Sequence, residues 1–81
     1  IDNLITSLDV SNNTALEELY CDYNQLTEID LIENTFLKTL HCDDNQLTSL
    51  DVSQNTALNY LSCDNNQLKE IDLSENTFLT F

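Results

Sequence analysis

The sequence predicts a β solenoid, and three observations carry that expectation. Residues 5–25 (ITSLDVSNNTALEELYCDYNQ), 26–46 (LTEIDLIENTFLKTLHCDDNQ) and 47–67 (LTSLDVSQNTALNYLSCDNNQ) repeat one 21-residue unit, and a partial copy fills 68–81. Within each unit, apolar and polar residues alternate over short stretches such as Leu19-Tyr20-Cys21 and Ile29-Asp30-Leu31, the period of a strand with one buried face. Glycine and proline are absent, so the turns between strands must be closed by other residues, and asparagine recurs where they belong. A fixed period of about 20–50 residues marks coils that bury their apolar faces only by stacking on one another.

Each coil reads as two short strands and two turns. The first strand centres on Leu8-Asp9-Val10 and its copies at 29–31, 50–52 and 71–73. The second centres on Leu19-Tyr20-Cys21 and its copies at 40–42 and 61–63. Stacking in register predicts two parallel sheets on opposite sides of a flattened coil, with strands about 4.8 Å apart. Little or no helix is expected, because no window holds an apolar i, i+3, i+4, i+7 stripe between caps. With 81 residues, the chain is one segment spanning 1–81. It begins and ends inside a repeat without caps, so it reads as cut from a longer protein.

Invariant columns should build the scaffold. Asn24, Asn45 and Asn66 form one inward ladder and Asn13, Asn34, Asn55 and Asn76 another, their amides meeting backbone groups in the turns. Cys21, Cys42 and Cys63 occupy the same apolar slot of successive coils, which suits buried reduced thiols. No CxxC pair converges for zinc, and in-register neighbours on parallel strands point the same way, which suits a disulfide poorly. Ala15, Phe36, Ala57 and Phe78 alternate small with large, as Val10, Leu31, Val52 and Leu73 do beside them. The ancestral unit was therefore a 42-residue pair, with the phenylalanines expected in the core.

Leu16, Leu19, Cys21, Asn24 and Leu26 give the spacing LxxLxCxxNxL, and Leu26, Ile29, Leu31, Asn34 and Phe36 give LxxLxLxxNxF. The pattern resembles the leucine-rich repeat signature, in the short 21-residue bacterial class with two nested half-repeats. The resemblance covers the chain from Ile5 onward. It implies a right-handed superhelix and a binding scaffold of a bacterial secreted or cell-surface protein, often an adhesin.

Charge narrows the partners. Fifteen acidic residues face only Lys38 and Lys69, for a net charge of −13, which argues against nucleic acid and anionic membrane surfaces. No apolar run approaches the roughly 20 residues of a membrane span, so no insertion is expected. Calcium is a candidate ligand for the outward column Asp9, Asp30, Asp51 and Asp72, although the glycine-rich loops of calcium β-rolls and EF-hands are missing. Solvated acids and bonds to turn amides are the plainer reading, so no cofactor or metal is assigned. Ser62, His41 and Asp43 share one surface and superficially resemble a hydrolase triad. A flat exposed sheet supplies no oxyanion hole or cleft, so no catalytic residue and no enzyme activity are assigned.

The two strand sets differ in what they present outward. The set at 8–10 shows a nearly uniform row of serine, glutamate and aspartate. The set at 19–21 shows Glu18 and Tyr20, then Thr39 and His41, then Tyr60 and Ser62, the variable and aromatic positions. Aromatic side chains with polar tips favour recognition surfaces, so these six residues form the expected binding face for a protein or glycan. The alternative is structural: a spacer, or a solenoid that stacks end to end into a fibre through its open strand edges.

Overall fold

The computed structural model describes residues 4–79 and shows a solenoid with principal extents of 30 × 28 × 18 Å. Three parallel strands, β1 (Glu18–Tyr20), β2 (Thr39–His41) and β3 (Tyr60–Ser62), lie side by side in the order β1-β2-β3. Their register is one repeat per strand: Leu19 pairs with Leu40 and Leu40 with Leu61. The central leucine of each strand points inward, and its neighbours of opposite parity face solvent. No helix forms among the described residues.

The core is a stack of apolar columns, deepest in the middle of the chain. Leu26, Leu37, Leu40, Leu47 and Leu58 are fully enclosed together with Cys42. Equivalent residues in the outer coils, including Leu16, Leu19, Leu61 and Leu73, are partly buried against that cluster. Each leucine taken from water contributes about 1.5–3 kcal/mol, so a middle coil is stabilised far more than an outer one.

The opposite side of the coil departs from expectation. Residues 8–10, 29–31, 50–52 and 71–73 run without strand pairing, so among the described residues one sheet forms where two were expected. The cause is competition for carbonyls. The Asn34 amide takes the Val10 carbonyl at 3.0 Å, Asn55 takes that of Leu31, and Asn76 takes that of Val52. Two tight turns then follow at once, closed in the second coil by Asn34 N–H to the Leu31 carbonyl and Leu37 N–H to the Asn34 carbonyl. A backbone turning this sharply cannot extend a ladder.

The same tandem turns correct the expected core. Phe36 is 62% exposed and Phe78 is 67% exposed, while the next residue of the second coil, Leu37, is wholly buried. Residue 36 is the third residue of the second turn, so its side chain leaves the coil at the corner. The buried slot falls three residues after the asparagine rather than two, at Leu16, Leu37, Leu58 and Leu79.

Candidate functional site

The exposed face of the sheet carries a stacked row of rings. The Tyr20 and His41 centroids lie 4.6 Å apart at 30° between planes, and those of His41 and Tyr60 lie 4.9 Å apart at 28°. Register alone sets Ser62, not Tyr60, beside His41. Tyr60 stands next to Thr39, and its long side chain crosses the diagonal to reach the imidazole. In-register alternation therefore finds the first contact and misses the second. Tyr20 is 61% exposed and Tyr60 is 44% exposed, so the row is open to a partner. Glu18 flanks it in the open, and Thr39 and Ser62 are half-buried. At the strand entrance Lys38 and Glu17 form an ion pair at 3.4 Å between exposed side chains, which is worth little in water.

Below the rings an aspartate ladder ties the coils together. Asp22 accepts the Asp43 N–H at 2.6 Å, and Asp43 accepts the Asp64 N–H at 2.7 Å. Asp43 also accepts the Ser62 hydroxyl at 2.7 Å. The residues of the supposed triad are thus neighbours, but Ser62 donates to the carboxylate directly while the His41 ring lies between two tyrosines. That arrangement does not set an imidazole to remove the serine proton. On the far side, Asp9, Asp30, Asp51 and Asp72 each accept the N–H two residues ahead, bracing the first tight turn. Ser11 adds its hydroxyl to Asp9, and hydrogen bonds from Ser11, Ser53 and Ser74 hold Asp9, Asp51 and Asp72 below the usual carboxylate range. Among the described residues, no group of three or more His, Cys, Asp or Glu side chains converges as a metal centre.

The sheet-side asparagine column is hydrogen-bonded throughout. On the turn side the buried oxygens of Asn34, Asn55 and Asn76 meet no donor, and Asn13, expected to face inward with them, is exposed in the first coil. Asn45 donates to the carbonyls of Cys21, Cys42 and Asp43 and accepts the Leu26 N–H. Asn66 repeats the pattern on Cys42, Cys63, Asp64 and Leu47. The residue before each of these asparagines takes a left-handed backbone: Tyr23 at φ 59°, Asp44 at 56° and Asn65 at 58°. Asparagine and aspartate adopt that conformation readily and tyrosine does not, so no pattern in the sequence announced Tyr23.

The three cysteines are unpaired thiols. Cys21 donates to the His41 carbonyl and Cys42 to the Ser62 carbonyl, each at 3.4 Å. Burial, helped by the Asp22 charge, pushes the Cys21 thiol up to about 11. Burial raises Cys42 further, with Cys21 and Cys63 beside it, and it raises Cys63 as well. Such thiols stay protonated and act as small apolar side chains rather than nucleophiles.

A solenoid of 21-residue coils, with one parallel sheet, leucine columns and asparagine-closed turns, defines a leucine-rich repeat protein. The chain belongs to that family: the model for leucine rich repeats in two copies matches residues 14–55 and again 35–80. Twelve solved chains are similar to it. One is the functional domain of InlJ from Listeria monocytogenes, which includes a cysteine ladder. It is 56% identical with a TM-score of 0.94, over 96% of this chain and 17% of that one. This chain thus spans about a sixth of the length of that relative. No curated protein matches. Leucine-rich repeat domains are typically non-enzymatic scaffolds that mediate protein interactions. Among the described residues no helix is long and apolar enough to cross a membrane.

Proposed function

We propose that this segment is a recognition module whose partner is a protein docking on the exposed sheet face. The observation that carries this reading is the Tyr20–His41–Tyr60 stack, which crosses all three strands in the open. Stacking turns the ring faces toward one another and leaves edges and hydroxyl groups for a partner. A sugar ring packs on an open aromatic face, which this row offers only at its ends, so a protein partner fits better than a glycan. The surrounding charge, −13 over the chain, favours a basic surface on that partner and speeds its encounter. By family resemblance we place the module outside the bacterial cell, at its surface or secreted. Buried protonated thiols suit an oxidising setting.

The test is a screen of the chain against protein and glycan arrays, comparing two variants. Tyr20→Ser/His41→Ser/Tyr60→Ser should weaken a captured protein ligand by about tenfold or more. Glu70→Gln/Asp72→Asn, on the opposite side, should leave it within about twofold. Equal loss in both variants, or none in the first, would remove the sheet face from consideration.

A further inference from the structure

We propose that the corner of the solenoid bearing Phe36 and Phe78 is a self-complementary strip on which a second copy of this chain docks with its axis reversed. Phe36 and Phe78 are well exposed, and Ile32, at 54%, lies one turn before Phe36. Lone exposed apolar side chains are ordinary, whereas a strip of large ones on an acidic protein marks a contact surface.

The strip has a definite shape. Asn34 donates to the Asn13 carbonyl at 2.9 Å, Asn55 to that of Asn34 at 2.8 Å, and Asn76 to that of Asn55 at 3.0 Å. These bonds set successive coils directly on one another just before the corner. Two residues on, Ala15, Phe36, Ala57 and Phe78 therefore form a column of alternating gaps and rings, with Ala57 partly buried between its larger neighbours. Turned about a two-fold axis perpendicular to the solenoid, this column meets itself reversed. Phe36 then faces Ala57 of the other copy and Phe78 faces Ala15, so every ring enters a gap. Such mutual matching of one patch with itself is what a two-fold interface requires.

Charge follows the same rule. The neighbouring column reads Asn12, Glu33, Gln54 and Glu75, all exposed. In the reversed pairing Glu33 faces Gln54 and Glu75 faces Asn12, so no carboxylate meets another. A parallel pairing sets ring against ring and glutamate against glutamate. The 42-residue alternation, which the core does not need at these exposed positions, thereby acquires a role. The strip is roughly 15 Å long at about 4.8 Å per coil, so the contact belongs to the weak class below about 1,200 Å².

Sedimentation velocity on the 81-residue chain, up to roughly millimolar, should show monomer giving way to dimer with rising concentration. Phe36→Ala/Phe78→Ala should abolish the dimer. Ala57→Phe should weaken it by about tenfold or more, because the new ring strikes Phe36 of the other copy. The exchange Phe36→Ala/Ala57→Phe should restore it, since gap and ring have only traded places. That exchanged variant keeps Phe at residue 57, so its recovery also shows that Ala57→Phe fails at the contact and not in folding. A chain monomeric throughout, a dimer that Ala57→Phe tightens, an exchanged variant that stays monomeric, or growth beyond two copies would each overturn the proposal.

Discussion

Two asparagine ladders run through this solenoid at the same 21-residue spacing, and they hold the coils by different means. On the sheet side, Asn45 donates to three carbonyls and its own oxygen accepts the Leu26 N–H. On the turn side, Asn55 donates to the Leu31 and Asn34 carbonyls, and its buried oxygen meets no hydrogen-bond donor. Asn34 and Asn76 share that orphaned oxygen. The first ladder supplements a sheet. The second replaces one, taking carbonyls that strand pairing would have used at the expense of an unsatisfied acceptor. Burial alone therefore misjudges these residues: Asn55 is the more deeply enclosed and the less fully bonded.

Truncation should separate them. Asn45→Ala removes one acceptor and a donor shared by three carbonyls, and should lower stability by about 3–4 kcal/mol. Asn55→Ala removes two bonds but also relieves the unpartnered oxygen, so about 2 kcal/mol is expected. Urea denaturation of both variants decides the matter, and equal losses would mean that the two ladders are equivalent. Among the described residues the left-handed ones occur only in the sheet-side turns, so Tyr23→Asn should stabilise the chain by about 1 kcal/mol. Asn65 already holds that place two coils later, and a thermal melt that fails to rise would show that Tyr23 gains packing that offsets its backbone strain.

The smallest effect concerns the turn side. Asp9, Asp51 and Asp72 are held below their ordinary 3.8 by the serines ahead of them. A carboxylate lowered on folding stabilises in full above its ordinary value and loses that stabilisation as pH falls through the lowered one. Ser11→Ala/Ser53→Ala/Ser74→Ala should therefore melt below the parent at pH 6. The gap should close below pH 3.8, and a gap independent of pH would deny the carboxylates this part.

Much of this architecture is legible in the sequence, and the misses share a cause. The period gives the coil, the stacking register and the leucine columns, because equivalent residues in a solenoid have no choice of neighbour. The second sheet was not legible. Alternation at 8–10 and 29–31 is as clean as at 19–21, but the geometry of the folded coil decides which donors a carbonyl meets, and there they are an asparagine amide and a turn N–H. Phe36 and Leu37 are adjacent and both apolar, so only the shared turn at Asn34 decides which is buried. In the candidate site, Tyr20 and His41 were found by register, whereas the Tyr60 contact runs diagonally and depends on side-chain length.

The asparagine bonds between coils also have a direction. Asn45 reaches back to the Cys21 carbonyl, Asn66 to that of Cys42, and Asn34, Asn55 and Asn76 each reach back to the coil before them. Each coil carries the amides that fasten it to its predecessor, whose carbonyls accept them, on the turn side beside a turn N–H of their own coil. For these amides a chain made from its N-terminus would meet each carbonyl acceptor already in place, so the asparagine ladders can be laid down one turn at a time in the order of synthesis. The backbone N–H groups of Cys21 and Cys42, by contrast, wait for carbonyls of the coil that follows.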